Sequence, residues 1–138
     1  MLSGDRDLTE RVIGLAIDVH RHLGPGLLES AYEECLSFEL SQAGVEHRRQ
    51  VPLPVVYKDV RLDCGYRIDI VVRQQLIIEI KAIERIVPVH EAQILTYLRL
   101  SGYKVGLLLN FNSVVLKDGL RRFVLRQSPI SVTSVSPW

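Results

Sequence analysis

The sequence has little cysteine and lacks any apolar run of the length that crosses a membrane. Two cysteines, Cys35 and Cys64, are too few for a disulfide framework or a cysteine-rich metal site. A membrane-spanning helix needs about 20 consecutive apolar residues, and residues 1–7 lack the basic and then apolar pattern of a signal peptide. The sequence therefore predicts a cytoplasmic protein with no membrane partner.

Net charge is also nearly absent. The 17 Lys and Arg residues against 16 Asp and Glu residues leave a net charge of +1 at pH 7. Proteins that bind nucleic acid usually carry a basic excess, so this balance argues mildly against a nucleic-acid partner. Basic residues are nevertheless clustered in two places, at His47-Arg48-Arg49 and at Lys117, Arg121, Arg122 and Arg126. A solvated surface accounts for each cluster, and a local basic groove is the alternative.

Apolar residues, in contrast, are plentiful. Hydrophobic residues make up 47% of the 138 residues, which is enough for the core of one domain. We expect that domain to span residues 1–127 and to be followed by a tail rich in Ser and Pro over residues 128–138.

The order of predicted elements indicates an α/β (α+β) fold. Apolar residues at helical spacing predict helices over residues 8–22, 27–43 and 89–100. Extended segments are predicted over residues 45–57, 60–63 and 104–111, and two prolines at 52 and 54 indicate that the first is an edge strand. Residues 116–126 form either a strand or a helix. With the hairpin described next, the order ααβββαβ predicts a central mixed sheet flanked by helices.

Two β-rich runs, residues 65–72 and 76–82, are separated by Arg73-Gln74-Gln75, which is the pattern of a hairpin. Side chains alternate between the two faces of a strand. The even positions are apolar and predict one core face, made by Ile68, Ile70, Val72, Ile78, Ile80 and Ala82. The odd positions place Arg67, Asp69, Glu79 and Lys81 on the opposite face. A loop with an odd number of residues would set Asp69 opposite Glu79.

This charged face has two interpretations. It can be a solvated face with an ion pair across the strands, which is common in antiparallel hairpins. Alternatively, the two carboxylates hold a hard divalent cation, because charges in strands this apolar are costly unless they are paired or bind a metal.

Three motifs carry a resemblance to a known family. Asp69 followed by Glu79-Ile80-Lys81 on a hairpin resembles the core motif of the PD-(D/E)XK nuclease superfamily. Gly26-Leu27-Leu28-Glu29-Ser30-Ala31-Tyr32 is similar to the signature of the GxxExxY proteins, a bacterial and archaeal family of that superfamily. Gln93-Ile94-Leu95-Thr96-Tyr97 resembles the Gln-xxx-Tyr helix motif of its exonuclease-like branch. The resemblance runs from about Leu8 to Val124, with one departure, because Ile68 rather than proline precedes Asp69.

The resemblance implies a restriction-endonuclease-like core that hydrolyses phosphodiester bonds in nucleic acid, with DNA favoured over RNA. It implies that Asp69, Glu79 and the backbone carbonyl of Ile80 hold Mg²⁺ or Mn²⁺, and that Glu29 completes or tunes the coordination. Lys81 would orient the attacking water or stabilise the charge of the transition state. Analogy with related small nucleases also implies a homodimer.

Several of these assignments have alternatives. Glu29 lies in the first turn of a predicted helix, where the helix dipole alone favours a carboxylate. The candidates for contact with the substrate or with the metal ligands are Tyr32, Arg67, His90, Gln93 and Tyr97, and a solvent-facing polar stripe is the alternative for the last three. The rival function is a non-catalytic module that keeps the nuclease fold and binds nucleic acid or a protein.

Overall fold

The computed structural model of the chain describes residues 4–125, so Arg126 and the predicted tail lie outside the described residues. The helices are α1 (Gly4–Leu23), α2 (Glu29–Gln42) and α3 (Pro88–Ser101). The strands are β1 (His47–Pro52), β2 (Val55–Tyr57), β3 (Val60–Leu62), β4 (Arg67–Val72), β5 (Leu76–Lys81), β6 (Val105–Asn110) and β7 (Leu120–Val124). A 3₁₀ helix, Leu116–Gly119, precedes β7.

Five of the strands form one mixed sheet in the order β1-β4-β5-β6-β7. Strands β5 and β6 are parallel and are joined through α3, whereas the other neighbours are antiparallel. The mixed sheet with its helices is consistent with a restriction-endonuclease-like fold, so the predicted fold class is confirmed. Strand β1 lies at an edge of the sheet, as its prolines predicted. The predicted extended segment 45–57 is two strands, β1 and β2, and β2 pairs with β3 in a small second sheet. Residues 116–126, predicted as a strand or a helix, contain the 3₁₀ helix and β7.

The main sheet is covered on both faces. One face packs against α1 and α2, and the other packs against α3. The odd positions Val71 and Ile77 are therefore buried as well as the even positions, and the charged side chains of β4 and β5 are confined to the halves of these strands away from the hairpin loop. The sequence of a strand that is covered on both faces is a nearly continuous run of apolar residues, as in β6.

One even position was predicted wrongly. Ile68 packs with the cluster on the α3 side, together with Leu53, and not with the other even positions. The pairing of β1 with β4 includes Val51 with Ile68 but omits Gln50, whose φ is 51°. A residue in this conformation interrupts the regular pleat of β1 beside Ile68.

The hairpin loop has the predicted odd length. Strands β4 and β5 pair Ile70 with Ile78 and Val72 with Leu76, so the loop is Arg73-Gln74-Gln75. Arg73 and Gln74 both have positive φ, at 51° and 56°. Extended by one residue, this register sets Asp69 opposite Glu79, and the charge of Asp69 acts on Glu79.

Helix α3 approaches β6 closely at Gly106. A Cβ atom at this position would lie 2.9 Å from Ile94 Cδ1 and 3.3 Å from Ile77 Cγ1. Both isoleucines are buried, so neither can turn out to solvent. The absence of a side chain at residue 106 therefore sets the distance between α3 and the sheet.

Replacing Gly106 with alanine should reduce the free energy of unfolding by about 1–3 kcal/mol, because overpacking a full core forces its side chains apart. Urea denaturation measures this change. Gly14→Ala is the control, since a Cβ at this exposed position of α1 would meet nothing within 4 Å, and it should stabilise the helix by about 0.5–1 kcal/mol. Adding Ile94→Val to Gly106→Ala should restore part of the loss. A Gly106→Ala protein with the same free energy of unfolding as the parent would contradict the close approach of α3 to β6.

Candidate functional site

Strands β4 and β5 separate beyond the pair Ile70–Ile78. The pairing of the two strands stops there, although β4 begins at Arg67 and β5 continues to Lys81. Asp69 Oδ2 accepts a hydrogen bond of 2.8 Å from the backbone N–H of Ile80. The Asp69 carboxylate thus binds an amide that the strand pairing leaves free. We call this region, with Asp69, Glu79, Ile80 and Lys81, the fork.

Glu79 lies on the other side of the fork and is 8% exposed. Lys81 Nζ is 3.6 Å from Glu79 Oε2. The other oxygen, Oε1, is buried without a hydrogen-bond partner, and it is the only such side-chain atom found in residues 7–125. A buried carboxylate oxygen without a partner costs free energy unless it gains a proton or an ion.

Burial and like charge raise the pKa of both carboxyl groups. For Glu79 the pKa rises to about 8, chiefly through burial and then through the charge of Asp69. Lys81 opposes this shift without cancelling it. The pKa of Asp69 is also raised, by burial first and then by the charge of Glu33, against the effect of the Ile80 hydrogen bond. Without a bound cation, the site therefore favours protonated Glu79 at neutral pH.

Glu29 is the first residue of α2 and lies at the same edge of the sheet. Its Oε2 atom accepts a hydrogen bond of 3.2 Å from the backbone N–H of Ala82, the residue after Lys81. Its charge also contributes to the raised pKa of Asp69 and of Glu79. Glu29 therefore lies beside the fork, in a position where the dipole of α2 stabilises it as well.

Tyr32 supports the loop that precedes α2. Its side chain is fully buried and its ring stacks on Phe111, with 4.6 Å between the centroids. Its hydroxyl donates a hydrogen bond of 2.6 Å to the carbonyl of Gly24 and accepts one of 3.1 Å from the N–H of Leu27. Of the two roles predicted for Tyr32, these contacts favour support of the ligands over contact with substrate.

Sequence analysis missed a group of hydrogen-bonded side chains beside Asp69. Glu33 is buried and accepts hydrogen bonds from Arg49 Nε at 2.9 Å and from Gln50 Nε2 at 3.0 Å. Gln50 Nε2 also lies 3.4 Å from Asp69 Oδ1. This group connects α2 and β1 to the fork. The position of Glu33, four residues after Glu29, does predict that both lie on the same helix face, but it does not predict the contacts with Arg49 and Gln50.

Asn110 is a second residue that sequence analysis missed. It is 2% exposed and pairs with Lys81 between β5 and β6. Its Oδ1 accepts a hydrogen bond of 3.0 Å from the N–H of Ile83, and its Nδ2 donates one of 3.0 Å to the carbonyl of the same residue. Asn110 thereby fixes the course of the chain just after Lys81. The sequence does offer a signal for Asn110, because its amide side chain ends a strand that is otherwise continuously apolar.

The candidates on α3 occupy two kinds of position. Gln93 Nε2 donates a hydrogen bond of 3.3 Å to the Tyr97 hydroxyl. The pKa of Tyr97 is raised, first by burial and further by the charges of Glu79 and Asp69, so this pair lies near the fork. His90 instead caps α3, because its Nδ1 accepts a hydrogen bond of 2.9 Å from the N–H of Val87.

The remaining basic candidates lie around the site without forming a uniform basic surface. Arg67 is exposed at the start of β4. Two arginines from the predicted clusters contact carboxylates: Arg49 binds Glu33, and Arg121 Nε lies 3.6 Å from Glu91 Oε2. These contacts offset part of the local positive charge.

A family model of the PD-(D/E)XK nuclease superfamily matches residues 6–123. The chain belongs to the PD-(D/E)XK nuclease superfamily. No curated protein and no solved structure matches it. None of the helices within residues 4–125 is long and apolar enough to cross a membrane.

Nucleases of the PD-(D/E)XK superfamily generally use divalent metal ions. Within residues 7–125, no group of three or more His, Cys, Asp or Glu side chains is arranged to hold a metal ion. The donors at the fork are two carboxylates that face each other, and Glu79 Oε1 has no protein partner. This set fits an ion such as Mg²⁺, which takes one or two carboxylates and retains several waters.

The metal-free protein should lose stability as the pH rises from about 5 to about 9, because the raised pKa of Glu79 makes its ionisation cost free energy in the folded state. This contribution is fully present below the unfolded-state pKa of about 4.3 and is lost as the pH passes through about 8. Glu79→Gln cannot ionise, so its free energy of unfolding should fall less over the same range.

Urea denaturation in EDTA at several pH values measures this difference. Glu46→Gln, at an exposed position, is the control and should follow the parent. Parallel curves for the parent and Glu79→Gln would show that the pKa of Glu79 is not raised by folding.

Proposed function

We propose that the protein is a divalent-metal-dependent nuclease of the GxxExxY type, which hydrolyses phosphodiester bonds in DNA with Mg²⁺ or Mn²⁺. The observation that carries this proposal is the unpartnered Glu79 Oε1, buried opposite Asp69 at the end of the hairpin. A solvated ion pair would leave both carboxylates exposed, whereas Glu79 is buried. We also propose that the protein is cytoplasmic and acts as a homodimer.

Each residue of the fork has a proposed role. Asp69, Glu79 and the carbonyl of Ile80 hold the ion, and Glu29 lies close enough to tune it. When bound, Mg²⁺ or Mn²⁺ at this position supplies a water of lowered pKa and offsets charge in the transition state. The Lys81 ammonium, a compact point charge, orients that water or stabilises the negative charge that develops on the phosphoryl group.

The contacts of the Gly26–Tyr32 motif support the assignment to the GxxExxY type. Gly26 has a φ of 105°, and its N–H donates a hydrogen bond of 3.1 Å to Asn112 Oδ1. Tyr32 binds the same loop from inside the core. Gly26 and Tyr32 thus hold the loop from both sides, and Glu29, the glutamate of the motif, lies against Ala82. A side chain at residue 26 would be strained at this φ.

Cleavage of labelled nucleic acids tests the proposal. Single-stranded, duplex, flapped and branched substrates are incubated with the protein in Mg²⁺ or Mn²⁺. We expect cleavage, and we expect Lys81→Ala to lower its rate by about 10²–10³-fold, as the loss of one group that stabilises transition-state charge does elsewhere. Lys104→Ala is the control, because Lys104 is exposed beside the hairpin loop, at the other end of β5 and β6. Binding without cleavage of any substrate would favour the non-catalytic module.

Metal binding gives a readout that does not depend on cleavage. Mn²⁺ should raise the melting temperature of the parent, because an ion that binds the folded state stabilises it by about 2.7 kcal/mol at 100 times its Kd. The shift should be much smaller for Glu79→Gln and unchanged for Glu46→Gln. If Mn²⁺ leaves the melting temperature of the parent unchanged and Glu79→Gln is less stable than the parent, Glu79 is half of a structural ion pair.

A further inference from the structure

A cleft lies next to the fork, between α3 and the segment that leads into β4. Its volume is about 570 Å³, which is within the range of about 300–1,000 Å³ for small-molecule sites. Helix α3 contributes Gln93, Thr96 and Tyr97 to its lining, and Tyr66 contributes from the residue before β4. Apolar side chains that include Val89 and Leu100 line the rest.

Two residues that line the cleft, Tyr66 and Tyr97, place it near the fork. Charges on Glu79 and Asp69 act on the Tyr97 hydroxyl. Tyr66 precedes Asp69 by three residues, which is about 10 Å along an extended chain. A group in the cleft and a phosphate at the fork can therefore belong to the same strand of nucleic acid.

The lining of the cleft fits a nucleobase better than a phosphate. None of its lining residues is Asp, Glu, Lys or Arg, so a phosphate would find no lysine or arginine there. The rings of Tyr66 and Tyr97 meet edge to face, with centroids 6.3 Å apart and an interplanar angle of 65°. Tyr66 is 46% exposed, so part of its ring remains free for stacking. The Gln93 amide and the Thr96 hydroxyl can both donate and accept hydrogen bonds, as the edges of bases require.

The charge of the protein also favours recognition through bases. Affinity for duplex DNA comes largely from Lys and Arg residues that neutralise phosphates. This chain has a net charge of +1, and Arg49 and Arg121 contact carboxylates. Stacking of bases on aromatic side chains supplies affinity without added positive charge, but it needs bases that are not paired.

We propose that the cleft binds one unpaired nucleobase of the strand whose phosphate lies at the fork, so that single-stranded segments such as overhangs and flaps are preferred to intact duplex. This inference rests on the proposed nuclease function for the role of the fork. Base binding can nevertheless be measured without cleavage, so the two proposals can fail separately.

Fluorescence anisotropy with a matched pair of probes tests the inference. One probe is a labelled thymidine oligonucleotide, and the other is an abasic strand of the same length and charge. Both are titrated with the full chain in Ca²⁺, and a gel verifies that they remain intact. We expect the thymidine strand to bind about 10-fold more tightly, which corresponds to about 1.4 kcal/mol and to the stacking of one base.

Substitutions assign this difference to the cleft. Tyr66→Ala should bring the affinity ratio of the two probes close to 1, whereas Tyr66→Trp should retain it. Tyr57→Ala is the matched control, because Tyr57 is an exposed tyrosine on β2 that does not line the cleft. Melting temperatures of the variants show whether each one is folded. In the cleavage assay, Tyr66→Ala should also reduce the preference for single-stranded over duplex substrate.

Three outcomes would overturn the inference. Equal affinity for the two probes, or no binding of either, would exclude a base in the cleft even if the protein cleaves DNA. If Tyr66→Ala keeps the affinity ratio of the parent for the two probes, the base binds outside the cleft. A parent dimer that Tyr66→Ala converts to a monomer, with equal affinity for both probes, would make the cleft a contact between two copies of the chain. Conversely, if the affinity ratio of the two probes depends on Tyr66 while no substrate is cleaved, this outcome would support base binding in the cleft and contradict the nuclease function.

Discussion

The hydrogen bond from the Ile80 amide to Asp69 is the interaction on which the site depends. It replaces strand-to-strand pairing at the point where β4 and β5 separate, and it keeps the Asp69 carboxylate turned towards β5. Glu79 is held opposite by the register of a three-residue loop at the other end of the hairpin. A buried and a half-buried carboxylate are thereby brought together, an arrangement that a proton or a cation would stabilise.

The rest of the molecule stabilises this unfavourable arrangement from several sides. Glu33 and Gln50 connect α2 and β1 to Asp69, while Asn110 fixes the chain beyond Lys81. The loop before α2 is held by Tyr32, so that Glu29 reaches Ala82. These residues need not touch a substrate, yet each determines where a carboxylate or an amide of the fork lies. Preorganisation of this kind is typical of sites that act on charged groups.

Much of the fold and of the fork could be predicted because both depend on local patterns. Alternation along two short runs and the odd loop between them were enough to set Asp69 opposite Glu79. Glu33, Gln50 and Asn110 could not be assigned in the same way, because their partners lie 17 to 27 residues away in sequence. The position of Ile68 was wrong because the alternation rule assumes a regular pleat, and the sheet is irregular beside this residue, where Gln50 of β1 has a positive φ.

The end of β6 has a consequence for the order in which the fork forms during synthesis. Phe111 donates its N–H to the carbonyl of Lys81 and stacks on Tyr32, so the dipeptide Asn110-Phe111 joins both halves of the site. Parallel pairing of β5 with β6 also has to wait for the crossover through α3. A chain emerging from the ribosome therefore carries the site's carboxylates, Glu29, Asp69 and Glu79, well before it can position them. The fork is therefore assembled only when the last third of the domain has been made.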